Sequence, residues 1–233
     1  MRLSERLETI VKQAAKVSTG GCVADVGTDH AFVPIRLLEL HAASRAIAMD
    51  VREGPLERAR EHIASCGMEG RIETRLSDGL SALKPGEAET VIIAGMGGEL
   101  MLRILRESGD AFGSVRHFIL SPQSETALFR HGLEKLGLSI ADEVMVKDGG
   151  KYYVVMTALP GAMHYEEEYR YRYGDLLLRK KSPALKELLE REIARGEALL
   201  EELARAGTEG ARSRYEAYSE ELRQAKEAYY EMQ

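Results

Sequence analysis

The sequence alternates short apolar runs with amphipathic segments, and this alternation limits the chain to few folds. Two strands joined through a helix lie parallel, because a right-handed crossover returns the chain to the same edge of the sheet. Fully apolar strands indicate a sheet that helices cover on both faces. The predicted strands are Cys22–Val26, Arg45–Met49, Arg71–Arg75, Thr90–Ala94 and His117–Leu120. The predicted helices cover residues 2–17, 31–41, 55–66, 99–107 and 126–136.

Two closely spaced strands end this pattern. Leu138–Val146 and Lys151–Leu159 are separated only by Lys-Asp-Gly-Gly. Four residues are too few for a crossover, so the pair is predicted to form an antiparallel hairpin. A Rossmann-like parallel α/β sheet that ends in an antiparallel hairpin resembles the topology of class I methyltransferases. Dehydrogenases of the dinucleotide-binding type usually continue with parallel units instead.

The composition changes after Pro160, and two heptad-like stripes follow. Their apolar positions are spaced by alternating steps of three and four residues, which predicts two amphipathic helices. Residues 204–211 contain two glycines, so the helices are predicted to form an antiparallel, coiled-coil-like hairpin in which the tyrosines pack. We therefore expect two domains, residues 1–160 and 161–233. The stripes are Leu189, Ile193, Gly196, Leu200 and Leu203, and then Tyr215, Tyr218, Leu222, Ala225, Tyr229 and Met232.

Charge and composition exclude several classes of protein. The formal net charge of −6 argues against a surface coated with basic residues for indiscriminate nucleic-acid binding. No apolar run approaches the ~20 residues of a membrane span, and the N-terminal sequence lacks a signal-peptide core. Cys22 and Cys66 have no metal-ligand spacing, so we expect no metal site and a reducing, cytoplasmic location. No feature predicts an obligate protein partner.

The loops after the predicted strands carry the candidate binding residues, because ligands of open α/β sheets sit at the carboxyl ends of the strands. Asp25, Gly27, Thr28 and Asp29 follow the first strand, and Gly27 allows a sharp turn there. The GxGxxG fingerprint that seats a pyrophosphate is missing. Two carboxylates would repel a pyrophosphate but suit a ligand that carries an ammonium and a sulfonium. The alternative is a tight turn with solvated acids.

The next two strands also end in acidic residues. Asp50, followed by Val51, is a candidate to accept hydrogen bonds from the two hydroxyls of a ribose, and a helix N-cap is its alternative role. Asp78 and Gly79 are candidates to bind an adenine amino group, with Leu80 against the base. Nicotinamide and methionine-derived cofactors both contain a ribose, so Asp50 does not distinguish them.

Ala94 is followed by Gly95, Met96 and Gly97 in a glycine-rich loop. Such a loop brings the backbone close to a flat or crowded ligand, so it is a candidate cofactor contact. The geometry of a helix start is the alternative explanation. The fifth strand ends in Ser-Pro-Gln, and the amide of Gln123 is a candidate to bind the edge of a base.

Six motifs occur in order along the chain: VADVGTDHAFVPI from Val23, AMDVREGPL from Ala48, SDGL, IIAGMGGELM from Ile92, LSPQ, and DGGKYYVV from Asp148. Together they resemble the bacterial tRNA (adenine-22-N1)-methyltransferases over about the first 160 residues. The resemblance implies transfer of a methyl group from S-adenosylmethionine to N1 of an adenine in the D-arm of tRNA, releasing S-adenosylhomocysteine. Two departures concern base contacts. The family tends toward Gln-Pro-Asn after the fifth strand, and the turn before Lys151 has an extra glycine.

Adenine N1 carries an in-plane lone pair, so methyl transfer to it needs alignment of the reactants rather than a strong base. Asp29 is the candidate catalytic carboxylate, because a negative charge near N6 stabilises the positive charge that develops on the base. His30 is a second candidate for contact with the substrate. N1 faces the pairing partner in a duplex, so the base must be extruded. Phe32, Tyr152 and Tyr153 are candidates to stack on it.

Basic residues at the start of the helical hairpin form the predicted tRNA-docking cluster, which we call the basic cluster. Its members are Arg179, Lys180 and Lys181. Such a cluster can contact RNA phosphates despite the net negative charge, and an ordinary solvated helix face is the alternative. The other candidate substrate contacts are Gln123, Lys151 and Tyr153.

Other functions remain open on the sequence. A nicotinamide-dependent oxidoreductase would share the ribose carboxylate, although the missing glycine fingerprint and the antiparallel finish count against it. A non-catalytic RNA-binding or scaffold protein with a decayed cofactor pocket would bind no cofactor. Within the methyltransferases, another RNA, a small molecule or a protein is the alternative substrate.

Overall fold

The computed structural model describes residues 3–206 and 208–233. The chain divides into two compact units, Met1–His164 and Tyr165–Gln233. The last strand of the first unit ends at Pro160, so this division falls shortly after the expected boundary. Arg2, the predicted start of the first helix, and Gly207, in the predicted hairpin turn, lie outside the described residues.

The first unit contains every strand and helix that was predicted for it, with bounds that shift by a few residues. The strands are β1 Gly20–Val26, β2 Ala43–Asp50, β3 Ile72–Leu76, β4 Thr90–Ala94, β5 His117–Ser121, β6 Leu138–Asp148 and β7 Lys151–Pro160. The helices are α1 Glu5–Val17, α2 Phe32–Glu39, α3 Glu53–Ser65, α4 Gly98–Arg106 and α5 Thr126–Lys135, with a short 3-10 helix at Gly109–Ser114.

The strands form one sheet in the order β3-β2-β1-β4-β5-β7-β6. β1 to β5 run parallel, β7 is antiparallel to β5, and β6 is antiparallel to β7. The predicted Rossmann-like methyltransferase topology is therefore confirmed. β1 lies between β2 and β4, so the direction in which successive strands are added reverses beside it. Ligands of such sheets bind in the crevice at this switch point.

Helices cover both faces of the sheet because its central strands are apolar on both sides. Residues 91–93 of β4 are completely buried, although consecutive side chains of a strand point to opposite faces. Helix α1 buries Ile10 and Val11 in the same core. The Ser4 hydroxyl begins this helix by accepting a hydrogen bond from the Leu7 N–H at 3.4 Å. The N-terminal helix is thereby part of the helical layer that covers the sheet.

The β6–β7 hairpin has a tighter turn than the predicted four residues. Asp148 pairs with Lys151, so only Gly149 and Gly150 form the loop. Their φ angles are +56° and +79°, which are the left-handed values that a two-residue hairpin turn of type I′ requires. Because glycine adopts such angles without a steric penalty, the two strands extend to the very tip of the hairpin.

The second unit contains the predicted helical hairpin, formed by α8 Pro183–Ala206 and α9 Glu209–Glu231. Two short helices precede it, α6 Glu168–Tyr173 and α7 Asp175–Arg179. They escaped prediction because five or six residues are too short for a helical period to stand out. The predicted turn was too long, since the two helices of the hairpin extend into residues 204–211.

Small and apolar residues hold the two long helices together. A Cβ added at Gly196 would lie 3.2 Å from Leu222, so the absence of a side chain lets α9 approach closely. Packing of the tyrosine stripe is only partial, because Tyr215 and Tyr218 remain about two fifths exposed. Tyr229 contributes a hydrogen bond to Glu190 at 3.2 Å. None of the helices in residues 3–206 and 208–233 has the length and apolar character to cross a membrane.

Candidate active site

The carboxyl ends of β1, β2 and β4 bring three of the predicted loops together. Val26 at the end of β1 pairs with Met49 on one side and with Ile93 on the other. The N–H groups of Gly27 and Thr28 both donate to the carbonyl of Met49, at 2.8 and 2.9 Å. The acidic loop after β1 is therefore fastened to β2, next to the loop after β4.

Asp25 is a buried carboxylate that has no cation beside it among the residues that the structure describes. It is only 8% exposed, and burial raises its pKa to about 6; the Thr28 hydroxyl opposes this shift, and the nearby Asp50 carboxylate adds to it. The hydroxyl of Thr28 is also buried and faces Asp25, but it makes no hydrogen bond of good geometry within the described ranges. Buried polar groups are normally paired, so these two side chains form a place suited to an ammonium or another donor.

A glycine is needed at position 27 because of its backbone conformation and because a neighbouring side chain leaves no room for a Cβ. Its φ of +77° lies in the left-handed region, and an added Cβ would collide with the Met96 side chain. The loop after β4 thus touches the loop after β1 directly. Both loops belong to the predicted cofactor set, and the structure brings them into contact.

Asp50 keeps part of its carboxylate available. The side chain is 8% exposed, and its Oδ1 accepts a hydrogen bond from the Arg52 N–H at 2.9 Å. The neighbouring Val51 is exposed. A fixed carboxylate beside an exposed apolar side chain can accept hydrogen bonds from ribose hydroxyls, as the sequence predicts for this position.

The loop after β3 differs from the prediction at Leu80. This side chain is 1% exposed and packs in the core, so the expectation that it lies against an adenine is wrong. The cause is a tight turn at Gly79, where φ is +57° and the Ser77 hydroxyl donates to the Gly79 carbonyl at 2.9 Å. Asp78 stays exposed, 3.8 Å from Arg103, and Leu76 is the exposed apolar side chain of this loop.

Glycine is needed at two positions after β4 for two different physical reasons. Gly95 has a φ of +82°, which disfavours any side chain. Gly98 begins α4 where a Cβ would lie 2.9 Å from the carbonyl oxygen of Ser124. The loop is also joined to the loop after β5, because the Gln123 N–H donates to the Met96 carbonyl at 2.9 Å. Helix-start geometry therefore explains Gly98, whereas residues 94–97 follow β4 next to the switch point of the sheet.

Asp29 is exposed and already holds an ion pair that the sequence did not predict. Its carboxylate is 61% exposed and accepts two hydrogen bonds from Arg58 on α3. The next two residues, His30 and Ala31, both have left-handed φ angles, of +62° and +54°. Consecutive non-glycine residues in this region are strained, and such strain is concentrated at functional sites.

The ring of His30 is held in a small aromatic cluster. It stacks on Phe32 with centroids 5.1 Å apart, and His62 meets the edge of Phe32. His62 also hydrogen-bonds the His30 carbonyl through Nδ1 at 2.7 Å. One face of Phe32 is thus covered by His30, so Phe32 is the support for the histidine ring.

The predicted substrate residues of the hairpin lie at its tip. Lys151 is exposed beside the turn, and Tyr152 has the Lys147 ammonium over its ring at 5.5 Å. Tyr153 has a cation over its ring as well, the guanidinium of Arg6 at 5.2 Å. Arg6 is not among the residues predicted from the strand ends, because it lies on α1 and outside every loop. Its charge on the helix face that carries Ile10 is the feature that marks it in the sequence.

The basic cluster belongs to the second unit, and both ends of the cluster make contacts there. Arg179 pairs with Asp175 at 3.0 Å, and the Lys181 ammonium donates to the Gln233 carbonyl at 2.8 Å. These contacts indicate that Arg179 and Lys181 help to stabilise the second unit, in addition to any contact that they make with RNA. Within the described part of the chain, no three His, Cys, Asp or Glu side chains are grouped as metal ligands.

The chain matches the family described as a methyltransferase domain over residues 3–156. It is 36% identical over 161 residues to the tRNA (adenine(22)-N(1))-methyltransferase of Bacillus subtilis (strain 168), a match that covers 69% of this chain. The matched part spans 66% of that relative's own length.

Solved structures give the same assignment over nearly the whole chain. The B. subtilis M1A22 tRNA methyltransferase TrmK is 29% identical with a TM-score of 0.85, covering 98% of this chain and 99% of that one. Streptococcus pneumoniae Sp1610 in complex with S-adenosyl-L-methionine is 30% identical with a TM-score of 0.86, covering 98% and 100%. These similarities confirm the resemblance that the motifs predict, and the chain belongs to the methyltransferase family that contains these proteins.

Proposed function

We propose that this protein transfers a methyl group from S-adenosylmethionine to N1 of adenine 22 in tRNA. One observation carries the proposal: Asp25, Asp50 and the buried Thr28 hydroxyl meet at the switch point of a methyltransferase fold. The likeness to a methyltransferase named for this nucleotide supports the choice of substrate. A tRNA substrate is in keeping with the cytoplasmic location that the sequence favours.

The residues at the switch point fit the cofactor's chemical groups. The buried Asp25 carboxylate and the Thr28 hydroxyl would hold its ammonium, and Asp50 would accept from its ribose hydroxyls beside Val51. Asp78 and the backbone at Gly79 would bind its adenine. Gly27 and residues 94–97 would border its methionine part, because the loops after β1 and β4 meet where Gly27 contacts Met96.

When bound, S-adenosylmethionine supplies a methyl group whose transfer to N1 leaves a neutral thioether and a positive charge on the adenine. Asp29 would stabilise that charge by presenting a carboxylate to the N6 edge. Its ion pair with Arg58 fixes the carboxylate's position and weakens its field. No general base is required, because N1 already has a lone pair. The protein's main contribution would be alignment, which is worth several kcal/mol, on the order of 7 in favourable cases.

The target adenine has to leave its stack to reach these residues. The His30 ring, backed by Phe32, offers a held planar surface next to Asp29 on which a base can stack. Gln123, Lys151 and Tyr153 would contact the substrate on the side of β5 and the hairpin. The basic cluster would bind tRNA phosphates.

Incubation with unmodified total tRNA and methyl-labelled S-adenosylmethionine tests the proposal. We expect the label in 1-methyladenosine after nucleoside analysis, and at position 22 when the tRNA is mapped. A transcript with guanosine at position 22 is the matched control and should remain unlabelled. Label in a different nucleoside, or at a different adenine, would overturn the assigned substrate.

A further inference from the structure

Arg6 is held in place by contacts that begin far along the chain. It lies in the first turn of α1, and its backbone N–H donates to the Asp148 carboxylate at 3.2 Å. The Tyr153 ring, across the same hairpin from Asp148, lies under its guanidinium at 5.2 Å. Both the backbone and the side chain of Arg6 are thus oriented by the β6–β7 hairpin.

One end of this guanidinium has no partner. Nη1 is buried and makes no hydrogen bond within residues 3–206 and 208–233. A Cβ built on Gly95 would lie 3.7 Å from this nitrogen and 3.8 Å from Nε2 of Gln123. Two side-chain nitrogens therefore lie close to the position that a side chain of Gly95 would occupy, at the loop of residues 94–97 after β4. An unpaired buried donor is costly, by about 1–3 kcal/mol and more for a charged group, unless a ligand satisfies it.

We propose that Arg6 binds an anionic oxygen of the reactants beside Gly95. The inference rests on the proposed function, whose reactants carry two kinds of such oxygen: the cofactor's α-carboxylate and the tRNA phosphates. A guanidinium stacked on a tyrosine is pre-organised for either, because its fork of N–H groups matches a carboxylate or a phosphate. It does not suit the target base, because a fixed positive charge opposes the charge that develops on adenine.

Two variants of Arg6 test the inference, and a lysine on the same helix gives the control. Arg6→Gln removes the charge and the fork, whereas Arg6→Lys keeps the charge alone. Lys12→Gln removes a charge from an exposed position of α1. The measurements are the Kd of S-adenosylhomocysteine and of its decarboxylated analogue by calorimetry, and kcat and KM for tRNA at several salt concentrations. Thermal melting verifies that each variant is folded.

The two sources of the oxygen give different results. If Arg6 binds the carboxylate, Arg6→Gln should raise the Kd of S-adenosylhomocysteine at least tenfold. The Kd of the decarboxylated analogue should then be the same in Arg6→Gln and in the wild-type protein. If it binds a phosphate, the Kd of S-adenosylhomocysteine stays the same, KM for tRNA rises about tenfold, and the slope of log KM against log salt falls by about one. Arg6→Lys should recover part of either loss.

If Arg6 serves only to stabilise the fold, neither the Kd of S-adenosylhomocysteine nor the KM for tRNA should change in the ways described above. If folded Arg6→Gln matches Lys12→Gln in both ligand affinities, in KM and in the salt slope, the inference is overturned. Failure of the proposed function is distinguishable, because the wild-type protein would then bind no S-adenosylhomocysteine or would methylate no tRNA. That result would remove both the reaction and the anion that Arg6 is proposed to bind.

Discussion

Asp29 and Arg58 form a two-point ion pair, in which Oδ1 of the carboxylate accepts from Nε at 3.2 Å and from Nη2 at 2.9 Å. The pair joins the loop after β1 to helix α3. It leaves Asp29 exposed while restricting its rotation, so the carboxylate is oriented before any substrate arrives. Exposed pairs of this kind contribute about 0–1 kcal/mol to stability, so the functional role of Asp29 can be tested without unfolding the protein.

Asp29→Ala is expected to abolish methyl transfer to tRNA, because no other carboxylate is proposed to stabilise the charge on the base. The Kd of S-adenosylhomocysteine should stay within a few-fold of wild type, since Asp25 and Asp50 are proposed to carry cofactor binding. Single-turnover kinetics and calorimetry measure the two effects separately.

Arg58→Gln is the matched companion, because it leaves the Asp29 charge but removes its anchor. We expect a loss of about tenfold or less in the rate of transfer, as a positioned group is worth less than the charge itself. An Asp29→Ala enzyme that retains wild-type turnover would remove this carboxylate from the mechanism.

Asp25 should make the stability of the ligand-free protein depend on pH. Its pKa is about 6 in the folded protein against 3.8 for an ordinary aspartate, so folding favours the protonated form. The favourable contribution of protonated Asp25 to the free energy of unfolding is complete below about pH 4 and is lost as the pH rises through 6. Asp25→Asn should therefore raise the melting temperature at pH 8 and raise it less at pH 5. At pH 8, the free energy of unfolding of Asp25→Asn should exceed that of the wild-type protein by on the order of 2–3 kcal/mol.

The exposed carboxylate of Asp110 provides the control, because Asp110→Asn should leave the melting temperature unchanged at both pH values. The same Asp25→Asn variant should bind S-adenosylhomocysteine more weakly than wild type at pH 8, since the ammonium loses its acceptor. Wild-type affinity should weaken below pH 6, as the carboxylate is protonated. A variant that is less stable at pH 8, or that binds equally well, would contradict the assigned role.

The basic cluster should contribute to the binding of tRNA and not to the binding of the cofactor. We expect the triple variant Arg179→Gln/Lys180→Gln/Lys181→Gln to raise KM for tRNA about three- to tenfold and to leave the Kd of S-adenosylhomocysteine unchanged. Asp175 keeps its bond to Arg170 at 2.6 Å, so the second unit should remain folded. Filter binding at several salt concentrations measures the effect.

Arg205→Gln, at the opposite end of α8, is the control and should leave KM for tRNA unchanged. Equal losses of tRNA and cofactor affinity in the triple variant would mean that these residues serve folding rather than docking.

Gly98→Ala should destabilise the first unit, because its Cβ would lie 2.9 Å from the Ser124 carbonyl and 3.2 Å from the Glu125 carbonyl. Overpacking against backbone costs about 1–3 kcal/mol, which denaturant unfolding can measure. Gly113→Ala is the matched control, since an added Cβ there meets no atom within 4 Å. Two variants of equal stability would show that α4 can shift away from the loop after β5.

The sequence by itself determined the order of strands and helices in the first unit, the antiparallel finish and the helical hairpin. These features follow from apolar periodicity and from loop length, which are local properties. It also identified the loops around Asp25, Asp50 and Gly95, because the carboxyl ends of parallel strands meet at one edge. Even so, the length of the Gly149-Gly150 turn was misjudged, since β-pairing extends the strands beyond their apolar residues.

Only the tertiary structure decided what each candidate side chain touches. Leu80 is buried by a turn whose geometry depends on Ser77, and Asp29 meets an arginine that lies one helix away. Arg6 is oriented by Asp148, from which it is 142 positions distant in the chain. Such contacts depend on how helices pack on the sheet, and packing is set by shape and volume over the whole core. Periodicity and spacing carry no information about it.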